Sequence, residues 1–132
     1  MGLPEPVKQE LEEAVGQPVA SARAVQGGDV AQAFSVELAG GTRVFLKHMP
    51  GAPPEQLPTE AAGLEWLRVP GGPGVPDVLS VGPRHLALAW IDAAPAGDAA
   101  AFGRALAALH GSGAPGFGWH RPGFLATLPM DN

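Results

Sequence analysis

Cysteine is absent from the 132 residues, which excludes disulfides, thiolate metal sites and cysteine nucleophiles. Charge is scarce too. Charged residues make up 16% against 45% hydrophobic, so the surface should carry many small neutral groups and an apolar patch suited to a partner. A formal net charge of −5 with no cluster of Lys or Arg argues against a grip on nucleic-acid phosphates. No apolar run is long enough to span a bilayer, and the start Met1-Gly2-Leu3-Pro4-Glu5-Pro6 has neither the basic nor the apolar stretch of a secretion signal. The expectation is a soluble cytoplasmic protein with no nucleic-acid or membrane partner. His48, His85, His110 and His120 show no helical i, i+4 pairing and no HExxH pattern, so no metal site is expected. G-x-S-x-G is missing as well, which removes the usual nucleophile elbow.

Glycine and proline are plentiful, at 19 and 15, but they fall between periodic segments and act as turn chemistry. The length suits one compact domain. Val7, Leu11 and Val15 recur every four residues before Gly16, which predicts an N-terminal amphipathic helix with its stop signal. Residues 19–25 and 33–38 alternate as two hairpin strands around Gly27-Gly28, and Gly40-Gly41 leads into a third strand over 42–47. A short helix follows over 58–68, with Pro58 in its first turn. Residues 75–81 are read as a fourth strand that Pro76 keeps at an edge or irregular at its start; 85–91 are apolar enough for a central fifth strand. Asp98 can cap a helix over 99–110, and the Pro- and Gly-rich remainder from 112 reads as an extended connector.

Strand, glycine turn, strand, turn, strand ending in Lys47, helix carrying Glu60, then two strands and a linker is the order of a kinase small lobe. The fold class expected is therefore α+β, a five-stranded antiparallel sheet with an αC-type helix. In such a lobe paired glycines bring backbone N–H groups close to phosphate, a lysine supplies a point charge, and a helical glutamate holds the lysine. Each piece has a plainer reading. Gly27-Gly28 alone fits a hairpin turn, Lys47 a solvated strand end, and Glu60 a charge complementing a helix N-terminus. Trp66, Trp90 and Trp119 are expected mostly in the core, with Trp90 the exception at the end of the fifth strand.

The segments GGDVAQAFSVEL (27–38), RVFLKH (43–48), TEAAGLEWLR (59–68), VPDVLSVG (75–82), LALAWI (86–91), LAALH (106–110) and FGWHRPGFLATLP (117–129), in that order, resemble the fructosamine and ketosamine kinase family. That family is related to the aminoglycoside phosphotransferases within the protein-kinase-like fold. The resemblance implies that the loop of Gly27, Gly28, Asp29, Val30 and Ala31 covers ATP phosphates, that Lys47 contacts them, and that Glu60 pairs with Lys47. It also implies that Ala89, Trp90 and Ile91 form the hinge around adenine. The activity implied is ATP-dependent phosphorylation of sugar-amine adducts, on small ketosamines or glycated proteins, with Mg2+ as metal. Ala89 stands where the family usually has a glutamate, which a hinge binding adenine through its backbone tolerates.

Family members continue past the position of Asn132 into a helical lobe that carries the catalytic base and the metal ligands. Residues 1–92 are accordingly expected to be an ATP-binding lobe, and 93–132 a linker helix and the start of a truncated second lobe. No catalytic base or metal ligand is expected in the chain itself, which should be inactive alone and completed by another lobe or by self-association. The alternative is a non-catalytic module that binds nucleotide or protein.

Overall fold

The computed structural model describes residues 2–26 and 30–131. Helix α1 (Glu5–Val15) is followed by strands β1 (Val19–Val25), β2 (Gln32–Leu38) and β3 (Arg43–His48), and then helix α2 (Gln56–Trp66). Strands β4 (Val78–Val81) and β5 (His85–Ala89), helix α3 (Ala99–Gly111), and two short strands, β6 (Gly123–Leu125) and β7 (Leu128–Met130), complete the chain. The main sheet is five-stranded and antiparallel, in the order β1-β2-β3-β5-β4, so β5 is interior as its apolar sequence predicts.

Period-two alternation divides the sheet into two faces with different duties. Phe34, Val36 and Leu38 of β2, Val44 and Leu46 of β3 and Ala87 of β5 share one face, and Val7 and Leu11 of α1 close over it. Helix α1 is fixed at its C-terminal end. Gly16 takes the left-handed conformation at φ 68° and returns its N–H to the Glu12 carbonyl, while the Glu12 carboxylate accepts from the Val19 N–H at 2.7 Å. On the opposite face, Leu86 packs with Met49, Leu57 and Ala61, so α2 docks there and leaves the rest of that face uncovered.

Two boundaries differ from the sequence expectation for local reasons. Helix α2 begins at Gln56, two residues before the proline expected to open it, because Pro58 falls among the first N–H groups that have no intrahelical partner anyway. Strand β4 begins only at Val78, since Pro76 cannot donate to a ladder. Asp98 does cap α3, with its carboxylate accepting from the Ala100 N–H at 2.9 Å. The expected connector is less uniform than its composition implies, as β6 and β7 pair into a small hairpin there.

Candidate functional site

Lys47 lies on the sheet face that α1 does not cover, two positions along β3 from Phe45, and Leu86 of β5 is its cross-strand neighbour. Docking of Leu57 and Ala61 turns Glu60 toward it. The Lys47 Nζ donates to both Glu60 oxygens at 2.8 Å, with side chains 27% and 39% exposed. This is a bidentate, charge-assisted pair that restricts the lysine and still leaves its ammonium open to an anion. The plain reading of Lys47 as a solvated strand end is therefore replaced by a half-buried, anchored cation.

Along the same face, Phe45, Pro76, Leu88, Ala89, Trp90 and Ile91 line an open apolar cleft of about 200 Å³. Phe45 and Lys47 are separated by roughly 7 Å along the strand, as residues i and i+2 of a pleated strand are. The chain leaves the sheet at this cleft. Ala89 donates its N–H to the Asp77 carbonyl and Trp90 to that of Arg43, whereas the Ile91 N–H makes no backbone hydrogen bond among the described residues. The Arg43 guanidinium stacks 5.0 Å from the Trp90 ring centroid and bonds Asp92 at 3.2 Å, which holds the indole at the cleft edge.

Of the residues singled out from sequence, Lys47 and Glu60 meet directly, and Ala89, Trp90 and Ile91 share one cleft. Ala31 packs against the α2 side of the core, and Val30 is exposed. Gly27, Gly28 and Asp29 lie outside the described residues. Phe45, Leu88 and Pro76 were missed, although alternation backwards from Lys47 already places Phe45 on the lysine's face. Trp66, expected in the core, is 45% exposed, because α2 presents other residues to the sheet.

A second polar group was not legible from sequence. His85 of β5 is buried, its Nε2 lies 2.7 Å from the Ser80 hydroxyl, and its Nδ1 lies 3.1 Å from the Glu10 carboxylate of α1. Burial pushes the His85 pKa down, against the opposing pull of Glu10, and nearby His48 lowers it further. The Glu10 carboxylate can only accept, so Nδ1 carries the proton toward it, and in the neutral ring Nε2 is then the acceptor for the Ser80 hydroxyl. A β-carbon at Gly82 would sit 2.9 Å from the Glu10 carboxylate and from the imidazole, so this turn needs glycine for the contact to close. The group ties α1 to the edge of the sheet.

Among the described residues no three His, Asp or Glu side chains converge to hold a metal ion. Among the described residues no helix is long and apolar enough to cross a membrane.

The fructosamine kinase family model matches residues 4–132. A crystal structure of a candidate fructosamine-3-kinase from Thermobifida fusca superimposes with a TM-score of 0.83 at 39% identity, over 96% of this chain and 46% of that one. The chain thus spans about half the length of the solved structure it matches. No curated protein matches the sequence. With the sheet order, the αC-type helix and the lysine–glutamate pair agreeing with a match over nearly its whole length, the chain belongs to the fructosamine kinase family.

Proposed function

We propose that this chain is the nucleotide-holding part of an ATP-dependent kinase acting on ketosamines, either small sugar-amine adducts or glycated proteins. The observation that carries the reading is the anchored Lys47 on the same sheet face as the apolar cleft at the end of β5. On this reading adenine lies against Phe45 and Leu88, and the Ile91 N–H, which makes no backbone hydrogen bond among the described residues, donates to its ring edge. Lys47 meets the phosphates, Glu60 keeps it in place, and residues 27–31 cover them. Residues 1–92 form this lobe and 93–132 lead away from it.

Phosphoryl transfer depends on positioning and charge neutralisation. The described residues supply the first and one cation of the second. Magnesium, which the family implies, finds no ligand set among them: both Glu60 oxygens are engaged by Lys47, and no other acidic group converges. On this reading metal binding and activation of the acceptor hydroxyl belong to residues beyond these, and the protein works in the cytoplasm. The reading is tested by co-expressing the chain with the portion of the Thermobifida fusca protein that it does not span, and following ADP release with a ketosamine. Release that disappears in Lys47→Met supports the reading; no Lys47-dependent release with any ketosamine overturns it.

A non-catalytic, partner-binding role is favoured by one observation only. Phe102, Phe117, Leu125 and Leu128 are all largely exposed on the C-terminal side. Saturable association with a protein partner in the absence of nucleotide binding would select it.

A further inference from the structure

Helix α2 is gripped from two sides, and the second grip lies outside the sheet. Leu57, Ala61 and Leu64, at i, i+4 and i+7, face the sheet core. Gln56, Thr59, Gly63 and Trp66, at i, i+3, i+7 and i+10, form a separate stripe, and each meets the segment running from Trp119 into the β6–β7 hairpin. Gln56 Nε2 donates to the Ala126 carbonyl at 2.6 Å, and the Thr59 hydroxyl accepts from Arg121 at 3.2 Å. A β-carbon at Gly63 would lie 3.9 Å from the Trp119 ring, and Trp66 meets His120 with ring centroids 5.3 Å apart. The contacts thus extend from the first turn of the helix to its last.

At about 100° per residue, Glu60 falls between the two stripes. Its bearing toward Lys47 is consequently set by both. On the sheet side α2 contributes Leu57 and Ala61 as its buried apolar residues, with Leu64 partly buried beside them. A rotation about that contact would carry Glu60 away from the lysine, and the outer stripe opposes it. Ala126 holds the Gln56 contact in a left-handed conformation, φ 52°, which a non-glycine residue adopts at a cost and keeps only where its surroundings enforce it. Arg121 also lies over the Trp119 ring, 5.7 Å from its centroid, which joins the two middle contacts into one unit.

We propose that the 119–126 segment is a clasp that fixes the rotation of α2, with Gln56, Thr59 and Arg121 as positioning residues for the Lys47–Glu60 pair. The mechanical statement stands by itself; its consequence for catalysis rests on the nucleotide reading above. Loosening the clasp lets α2 turn, unpairs the lysine, and weakens whatever anion Lys47 holds.

The absence of cysteine makes a direct test available. Spin labels on Cys placed at the exposed Ser21 of β1 and the exposed Glu65 of α2 report the distance from helix to sheet. In the parent chain one narrow distance is expected. In the Gln56→Ala/Arg121→Ala double variant the distance should move or broaden by on the order of 2 Å, the amplitude of a packed-helix shift. Arg121→Lys, which keeps a donor within reach of Thr59, should restore the parent distribution. If the double variant fails to fold, Thr59→Val removes only the acceptor and is read in the same way. An unchanged distribution in a folded variant overturns the clasp. ATP titration of the same proteins separates the two readings. A fall in affinity of about fivefold on release, a usual coupling between sites, supports the catalytic consequence. A parent chain that binds no ATP removes the nucleotide reading, while the distance still decides the clasp.

Discussion

Lys47 Nζ stands 2.8 Å from each carboxylate oxygen of Glu60, so an element of the sheet and an element packed beside it share one bidentate bond. Because both side chains keep some access to water, the pair contributes more to geometry than to stability. Glu60→Gln is expected to lower the folding free energy by only about 1 kcal/mol in a urea titration. A loss several times larger would show the pair to be a structural support.

Stability should instead reside in the face that α1 covers. Leu11 is fully buried among Phe34, Val36 and Val44, and Leu11→Ala should cost about 2–5 kcal/mol by denaturant unfolding. Phe102, 60% exposed on α3, provides the contrast: Phe102→Ala should stay within about 0.5 kcal/mol of the parent.

Acid should weaken the fold through His48 and His85. Burial lowers both pKa values below 6.5, aided by Arg84 at His48 and by His48 at His85, while Glu10 pulls His85 the other way. The unfolded chain then binds more protons than the folded one. Stability is fully present above pH 6.5 and is lost as pH falls through the folded-state values. Urea midpoints measured from neutral pH downward should therefore decline below that point, and His85→Gln should flatten the decline. A midpoint independent of pH in the parent would contradict the burial argument.

Helix α3 has no buried residue, so its cap should matter locally. Asp98→Ala should speed amide exchange in the first turn of α3, matching a cap worth about 1 kcal/mol, and leave β2 and β3 amides unchanged.

The sheet and the meeting of Lys47 with Glu60 were legible because glycine punctuation and period-two runs are local signals. Residues 19–25 became β1 unaltered, and the alternation that ended in Lys47 put it opposite a helix carrying Glu60. The β6–β7 hairpin was not legible, since two three-residue strands rich in Gly and Pro carry no period. The contact of Glu10, Ser80 and His85 joins α1, β4 and β5, and no sequence spacing reports on residues brought together only by folding. Trp66 was misplaced for a similar reason: an indole on a short helix looks like core until the partner of that helix face is known.

On the proposed reading Lys47, held by Glu60 beside the cleft of Phe45 and Leu88, binds the phosphates of ATP. Isothermal titration of the chain with ATP, alongside Lys47→Met, decides this. Saturable binding that weakens by roughly tenfold or more in the variant is expected, since a hydrogen bond to a charged group contributes about 1.5–3 kcal/mol. Equal ATP affinity in the two proteins, or none in the parent chain, would contradict it.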